Sequence, residues 1–373
     1  MQTVRAWVSD WLKRILPDSQ AVSFALLLVV GFILVVSLAN MLMPVLAACV
    51  IAYLLEGVVD IGVREKLPRL VAVIVVYILF LAFVLFTLVA LLPLLYQQTA
   101  QLIEQLPAWV SRGQVLVMQM PERYPEYITT EQIYDAMNTI RKELIAYGQS
   151  MLTYSYASLV SVITVLVYTI LVPMLVFFFL KDKDRILGWF SQYLPRDRNL
   201  STRVWREVDT QIGNYVRGKF IEILILLSAS YLTFTLMDLN YALLLAVLMG
   251  LSVIIPYVGA TLVTFPVVLV AFFEWGVTDE FWYLILAYGI IQALDGVVLV
   301  PLLFSEVVNL HPVAIIVAIL FFGGLWGFWG VFFAIPLATL VKAVLAAWPR
   351  TGESAMEGPP AASETVKAVR RVG

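Results

Sequence analysis

Apolar runs near residues 21–55, 70–95, 157–180, 219–237, 241–273, 281–304 and 312–346 approach or exceed the roughly 20 residues that a helix needs to cross a bilayer. Lipid offers no partner to a backbone amide, so such runs cross only as helices or as strands of a closed barrel. None of them shows the weak two-residue alternation of a barrel strand. The fold class that follows is all-α, a polytopic helical membrane protein. The composition agrees, since 62% of the 373 residues are hydrophobic and the mean hydropathy is +0.92, values that exclude a soluble domain.

Loop charges orient these helices. Residues 1–20 hold Arg5, Lys13 and Arg14 against two acids, and 181–219 hold nine basic residues against five acids. The segment 96–153 has four basic residues against six acids, and 274–280 has three acids and no base. By the positive-inside rule the first two segments are expected in the cytoplasm and the last two outside, with 56–69 and the tail after Lys342 also inside. The runs 21–55 and 312–346 then have cytoplasmic flanks on both sides and must cross an even number of times. Each carries an interruption near its middle, Asn40 to Pro44 in one and Gly323 to Gly327 in the other. Hairpins, complete or re-entrant, are therefore expected, giving eight to ten crossings, broken or re-entrant helices among them, and cytoplasmic termini. The first apolar run reads as a retained anchor, because no small-residue cleavage site follows it.

The expected organisation is a cytoplasmic N-terminal segment (1–20), the first membrane hairpin and third span (21–95), an external helical arm (96–153), a fourth span (154–180), cytoplasmic amphipathic helices (181–219), a C-terminal membrane bundle (220–346) and a flexible cytoplasmic tail (347–373). In the arm, Thr129 and Gln132 form a capping box ahead of Ile133, Met137, Ile140, Leu144, Tyr147 and Met151 at heptad spacing. That seam needs a partner, either Leu102, Leu106, Trp109 and Gly113 on the rising side or a neighbouring subunit. Pro107, Pro121 and Pro125 are expected to mark bends. In 181–219 the pattern predicts two short helices split by Pro195. The second opens at Ser201, lies at the leaflet surface and turns into the membrane at Phe220.

Residues 236–312 interrupt apolar sequence with proline, glycine and acids, and irregular backbone or charge at membrane depth survives only where protein or a wet cavity covers it. Asp295, flanked by Gln292 and Gly296, falls about fourteen residues into the run that starts near Phe281. A carboxylate there either stays charged beside water or a cation, takes a proton, or serves as a structural acid between helices. Pro256 and Gly259 predict a broken helix whose carbonyls around Ser252 to Pro256 could coordinate a cation or polar solute. Glu306 and His311 fall near a cytoplasmic boundary, where His311 before Pro312 suits a helix start better than a proton relay. Glu222 and Asp238 sit at span ends, where they could face headgroups. The candidate solute or ion pathway is thus Asp295, Gln292, Pro256, Gly259, Glu306 and His311.

The single cysteine, Cys49, lies in an apolar run and reads as a buried inert thiol, and with one histidine no metal site is expected. No phosphate loop, dinucleotide fingerprint or His/Cys metal spacing occurs, so neither an enzyme nor a cofactor is indicated, and nothing points to nucleic acid. Without an ATP-binding signature, transport would be passive, gradient-driven or powered by a partner.

The segments Leu251 to Ala260, Ile291 to Gly296, Leu303 to Pro312 and Phe322 to Gly327, with Leu54-Leu55-Glu56 and the stretch Val172 to Lys183, closely resemble the PerM-type permeases of the autoinducer-2 exporter family. Ala260 stands where many members carry proline. The resemblance implies a Gram-negative inner-membrane protein of about eight spans and a homo-oligomer, for which a pentamer is the working number. Some members are named for export of a furanosyl signalling molecule, and others are proposed to exchange cations for protons. Two functions are therefore open at this point. One is a secondary transporter or exporter of a small polar solute, an autoinducer-2-like molecule or a cation. The other is an oligomeric membrane scaffold or lipid-handling component of the envelope.

Overall fold

The computed structural model describes residues 37–118, 159–192, 199–256, 258–304 and 310–347, with isolated positions at 31, 131, 134, 135, 138, 139, 142, 143 and 146. Every element among the described residues is helical. Among them, five helices are long and apolar enough to cross a membrane: Met41–Arg64, Arg69–Val115, Asp209–Leu236, Val258–Trp275 and Asp279–Phe304. Shorter apolar helices accompany them. The chain is a helical membrane protein, as its apolar runs require.

Helix α1 spans Ala39–Arg64 with Pro44 inside it. The break expected between Asn40 and Pro44 is absent. The proline falls near the helix start and removes a single amide bond, a loss that membrane helices tolerate. The run's first part, 21–36, lies almost entirely outside the described residues. After α1 the chain reverses through Lys66, whose φ is 67°, while the Leu67 amide returns to the Gly62 carbonyl at 3.1 Å. Cys49 is exposed on α1 and not buried, on a surface that an apolar thiol can present to lipid without desolvation cost.

Helices α2 (Arg69–Phe86) and α3 (Leu92–Val117) are joined through a π-helical turn, Thr87–Leu91. The 47 residues Arg69–Val115 would extend about 70 Å at 1.5 Å per residue, more than twice the roughly 30 Å hydrocarbon core. The third span and the rising side of the expected arm are thus one continuous helical stretch, and Pro107 lies inside it. Trp109 is buried on the α3 face and stacks on Phe273 with ring centroids 5.2 Å apart. Leu102 and Leu106 join the same cluster, which occupies them in core packing. The heptad positions from Ile133 to Met151, together with Pro121 and Pro125, lie outside the described residues.

Next come α4 (Leu159–Lys181), α5 (Lys183–Ser191) and α6 (Asn199–Leu236). The surface helix expected to open at Ser201 and turn at Phe220 is instead the first part of one 38-residue helix. No proline interrupts that stretch, so nothing stops the hydrogen-bond ladder from continuing into the membrane. Pro195 lies outside the described residues. Where α1, α2 and the α4–α5 junction meet, the Glu56 carboxylate accepts from Arg69 Nη2 at 2.9 Å and Lys183 Nζ at 3.0 Å. Arg69 also donates to the Leu180 carbonyl at 3.4 Å, which ties the ends of these helices together.

The short helix α7 (Ala242–Ser252) and α8 (Val258–Trp275) form a hairpin about the Pro256 break. With 11 residues α7 would rise about 16 Å, too short to cross a hydrocarbon core of about 30 Å. Helix α9 (Asp279–Leu294) continues through a π-helical turn, Asp295–Leu299, into α10 (Val300–Phe304). A second hairpin follows from α11 (Pro312–Trp326) through Gly327, at φ 59°, to α12 (Phe328–Phe332) and α13 (Ala334–Ala347). Its reversal lies within the expected Gly323 to Gly327 interruption.

The chain divides into two compact units, one built from Met41–Ile186 with Ile212–Asn309 and the other from Met1–Asn40, Leu187–Gln211 and Leu310–Gly373. In the first, one core joins α3, α6, α7, α8 and α9 around Phe234, Leu245, Val267 and Leu284, and a second joins α1, α2 and α4 around Ala48, Val73 and Val176. In the other unit, Ala318, Phe322 and Ala334 pack α11 against α13.

Candidate functional site

The α9 run is apolar enough to continue across the membrane, and the interruption it carries is a widened turn instead of a break. In a π-helical turn one residue is accommodated beyond the α-helical ladder, and such turns recur at functional sites. Asp295 opens this one, and its side chain is directed inward while Gly296, Val297 and Val298 are exposed. The residue is 9% exposed, and its Oδ1 finds no hydrogen-bond partner among the described residues.

Helix α6 supplies the charges nearby. Lys219 is 6% exposed and Glu222 1% exposed, and Lys219 Nζ donates to Glu222 Oε2 at 2.7 Å across one helical turn. Asp295 lies close enough to interact electrostatically with Lys219 and with Glu222. Lys219 Nζ also sits over the Phe304 ring, 5.1 Å from its centroid. Gly218 makes that approach feasible, because a Cβ there would come within 2.8 Å of the ring. Tyr215, one turn earlier, packs against the same ring at 5.8 Å between ring centroids. One face of α6 is thus fitted to the segment 295–304, with an ion pair and a lone carboxylate enclosed. Such charges are costly in a low-dielectric interior and persist only where they are paired or have work to do.

Gln292 belongs to a neighbouring polar chain. Its Nε2 donates to the Tyr288 hydroxyl at 2.8 Å, and that hydroxyl shares a 2.9 Å hydrogen bond with Thr264 Oγ1. Thr264 in turn donates to the Ala260 carbonyl at 2.8 Å, so the chain links α9 to the start of α8. The Pro256 break lies on the same hairpin, but its carbonyls are engaged locally. Those of Leu251, Ser252, Ile255 and Pro256 accept from the amides of Ile254, Ile255, Gly259 and Val258 respectively. Three of the five carbonyls from Ser252 to Pro256 thus have partners within the turn. Gly259 serves that turn, passing so close to Ser252 that no side chain fits.

Glu306 lies outside the described residues. His311 belongs to the other unit, where it is exposed and caps α11, its Nδ1 accepting from the Val313 amide at 3.3 Å with Pro312 in the first turn. Sequence reading placed Glu222 at a span end, where it could face headgroups, and Lys219 at the end of the leaflet-surface stretch 181–219, and so missed their burial. The available signal was their i,i+3 opposition directly after Gly218 in a helix with no breaker.

A family model for AI-2E family transporters matches residues 7–350 of the chain. The chain is 46% identical over 353 residues to a protein of Escherichia coli (strain K12) named as a proposed permease, PerM, covering 93% of this chain and 98% of that one. It is 26% identical over 314 residues to YueF of Bacillus subtilis (strain 168), named as a proposed transport protein, covering 83% and 84% of the two chains. A similar protein of Synechocystis, sll0063, also named as a proposed transport protein, is 26% identical over 360 residues, covering 91% and 88%.

Proposed function

The chain belongs to the AI-2E family of transporters, and from that membership we propose that it is a secondary transporter carrying a small polar solute or a cation across the bacterial inner membrane. The observation that carries this reading is Asp295, enclosed at a widened turn of a membrane-crossing helix, unpaired at Oδ1 and in the field of the Lys219–Glu222 pair. Carboxylates of this kind are expensive at membrane depth and mark ion and substrate paths. Membership of a transporter family supports action without catalysis, with transport that is passive, gradient-driven or powered by a partner. Purified protein in proteoliposomes, challenged in parallel with autoinducer-2, sodium and protons, is expected to move at least one of them above the rate of empty vesicles. Flux at the empty-vesicle level for all three would remove the reading.

Both termini lie in the cytoplasm under this proposal, as the loop charges direct. Single cysteines introduced at Gln119 and Asn199 in a Cys49→Ser background are expected to react with a membrane-impermeant reagent from opposite sides. Reaction from one side alone would overturn the orientation. The protein also assembles with copies of itself, a pentamer being the working number, and the apolar seam 133–151 pairs either within one subunit or between neighbouring subunits. Ile140→Glu with Leu144→Glu is expected to lower the assembly size in detergent, and an unchanged size would confine the seam to one subunit.

A further inference from the structure

Asp295, Glu222 and Lys219 are buried in one unit within electrostatic reach of one another, two carboxylates and one ammonium. With all three ionised, the sum is one negative charge in excess. Burying an unbalanced charge is far more costly than burying a neutral set, so the cluster favours an added charge of +1. A divalent ion would leave it one positive charge over. The missing charge is also localised: Glu222 already holds the ammonium at 2.7 Å, whereas Asp295 Oδ1 has no partner among the described residues. Lys219 is fixed on both sides, bonded to Glu222 and seated over Phe304, a residue of the segment that carries Asp295.

We propose that the Lys219–Glu222–Asp295 cluster is a binding site for a single monovalent cation, and that Lys219 is the residue that sets its capacity at one charge. The proposal rests on the reading of Asp295 as the transport carboxylate and goes further by naming the ligand's charge. Lys219 is here a specificity-determining residue: it does not touch the bound ion but cancels one of the two carboxylates that would otherwise attract a divalent ion. An ammonium on a long unbranched stem suits that role, because it neutralises at a point without filling the site.

Radioactive sodium and calcium binding to purified protein test the charge count. The native protein is expected to bind one sodium per chain with little calcium, and Asp295→Asn to lose that sodium. Glu222→Gln brings the cluster to zero net charge and is expected to weaken sodium binding at least about 10-fold, since a unit change of charge in a protein interior acts on that scale. Lys219→Met with Glu222→Gln restores one net negative charge while leaving no orphaned charge, and sodium binding is expected to return. Lys219→Met alone reaches two negative charges and is expected to gain calcium binding at least about 10-fold. A native protein that binds no sodium, or a double variant that fails to recover what Glu222→Gln loses, overturns the proposal. If Asp295→Asn keeps both sodium binding and transport, the underlying reading of Asp295 fails. If it loses both while the charge series does not follow the count, only the capacity rule fails.

Discussion

Asp295→Asn is expected to reduce transport to the level of empty vesicles while the variant expresses, assembles and unfolds like the native protein. Asparagine keeps the shape of the side chain, so the enclosure against α6 is retained. What is lost is the ability to carry charge or a proton at the point where Oδ1 lacks a partner. A structural acid predicts a different pair of results. Asparagine would then either be tolerated, or leave a neighbour unsatisfied at a cost of about 1–3 kcal/mol seen as a lower Tm. Transport and thermal unfolding measured on the same preparation separate these outcomes. Full transport in Asp295→Asn would remove the residue from the mechanism and favour a scaffold or lipid-handling role for the bundle.

Legibility differed sharply between the fold and the site. The helical class and the broken C-terminal bundle could be read from the apolar runs, because lipid leaves a backbone few alternatives. The reversals near Pro256 and Gly327 were readable too, since proline and glycine act locally. Places where a helix simply continues were not. The α2–α3 stretch passes through Pro107, and α6 runs from Asn199 to Leu236, because neither the polarity of a segment nor one proline is enough to stop a ladder of backbone bonds. That continuity is what hid half of the site. Counting apolar residues put a boundary at Phe220 and so left Lys219 at the leaflet surface and Glu222 at a span end, whereas Gly218 lets Phe304 close over Lys219 and its partner Glu222 is buried with it. Asp295 was legible because a lone acid in an apolar run is conspicuous. Its partners were not, because their burial depends on a contact between helices separated by more than seventy residues.

Gly259→Ala is expected to be among the most destabilising single substitutions in the membrane bundle. A Cβ at this position would fall 1.7 Å from the Ser252 carbonyl oxygen and 2.6 Å from its carbon. These are backbone atoms, held by the turn's own hydrogen bonds and buried beside Val253 and Ile254, so no side-chain rotation relieves the clash. Overpacking that neighbours can absorb costs about 1–3 kcal/mol, and a backbone obstacle places this change at about 3 kcal/mol or more. Relief requires α7 and α8 to part. That would strain the Trp109–Phe273 stack and the Thr264–Tyr288–Gln292 chain, and so disturb α9 immediately before Asp295. Gly289→Ala is the matched control: it lies on the exposed face of α9 with nothing within 4 Å of its Cβ, and alanine there should stabilise the helix by about 0.5–1 kcal/mol. Thermal unfolding in detergent should therefore move in opposite directions for two chemically identical substitutions. An unchanged Tm in Gly259→Ala would mean that the turn at Pro256 opens freely, and the close approach of Gly259 to Ser252 would lose its structural role.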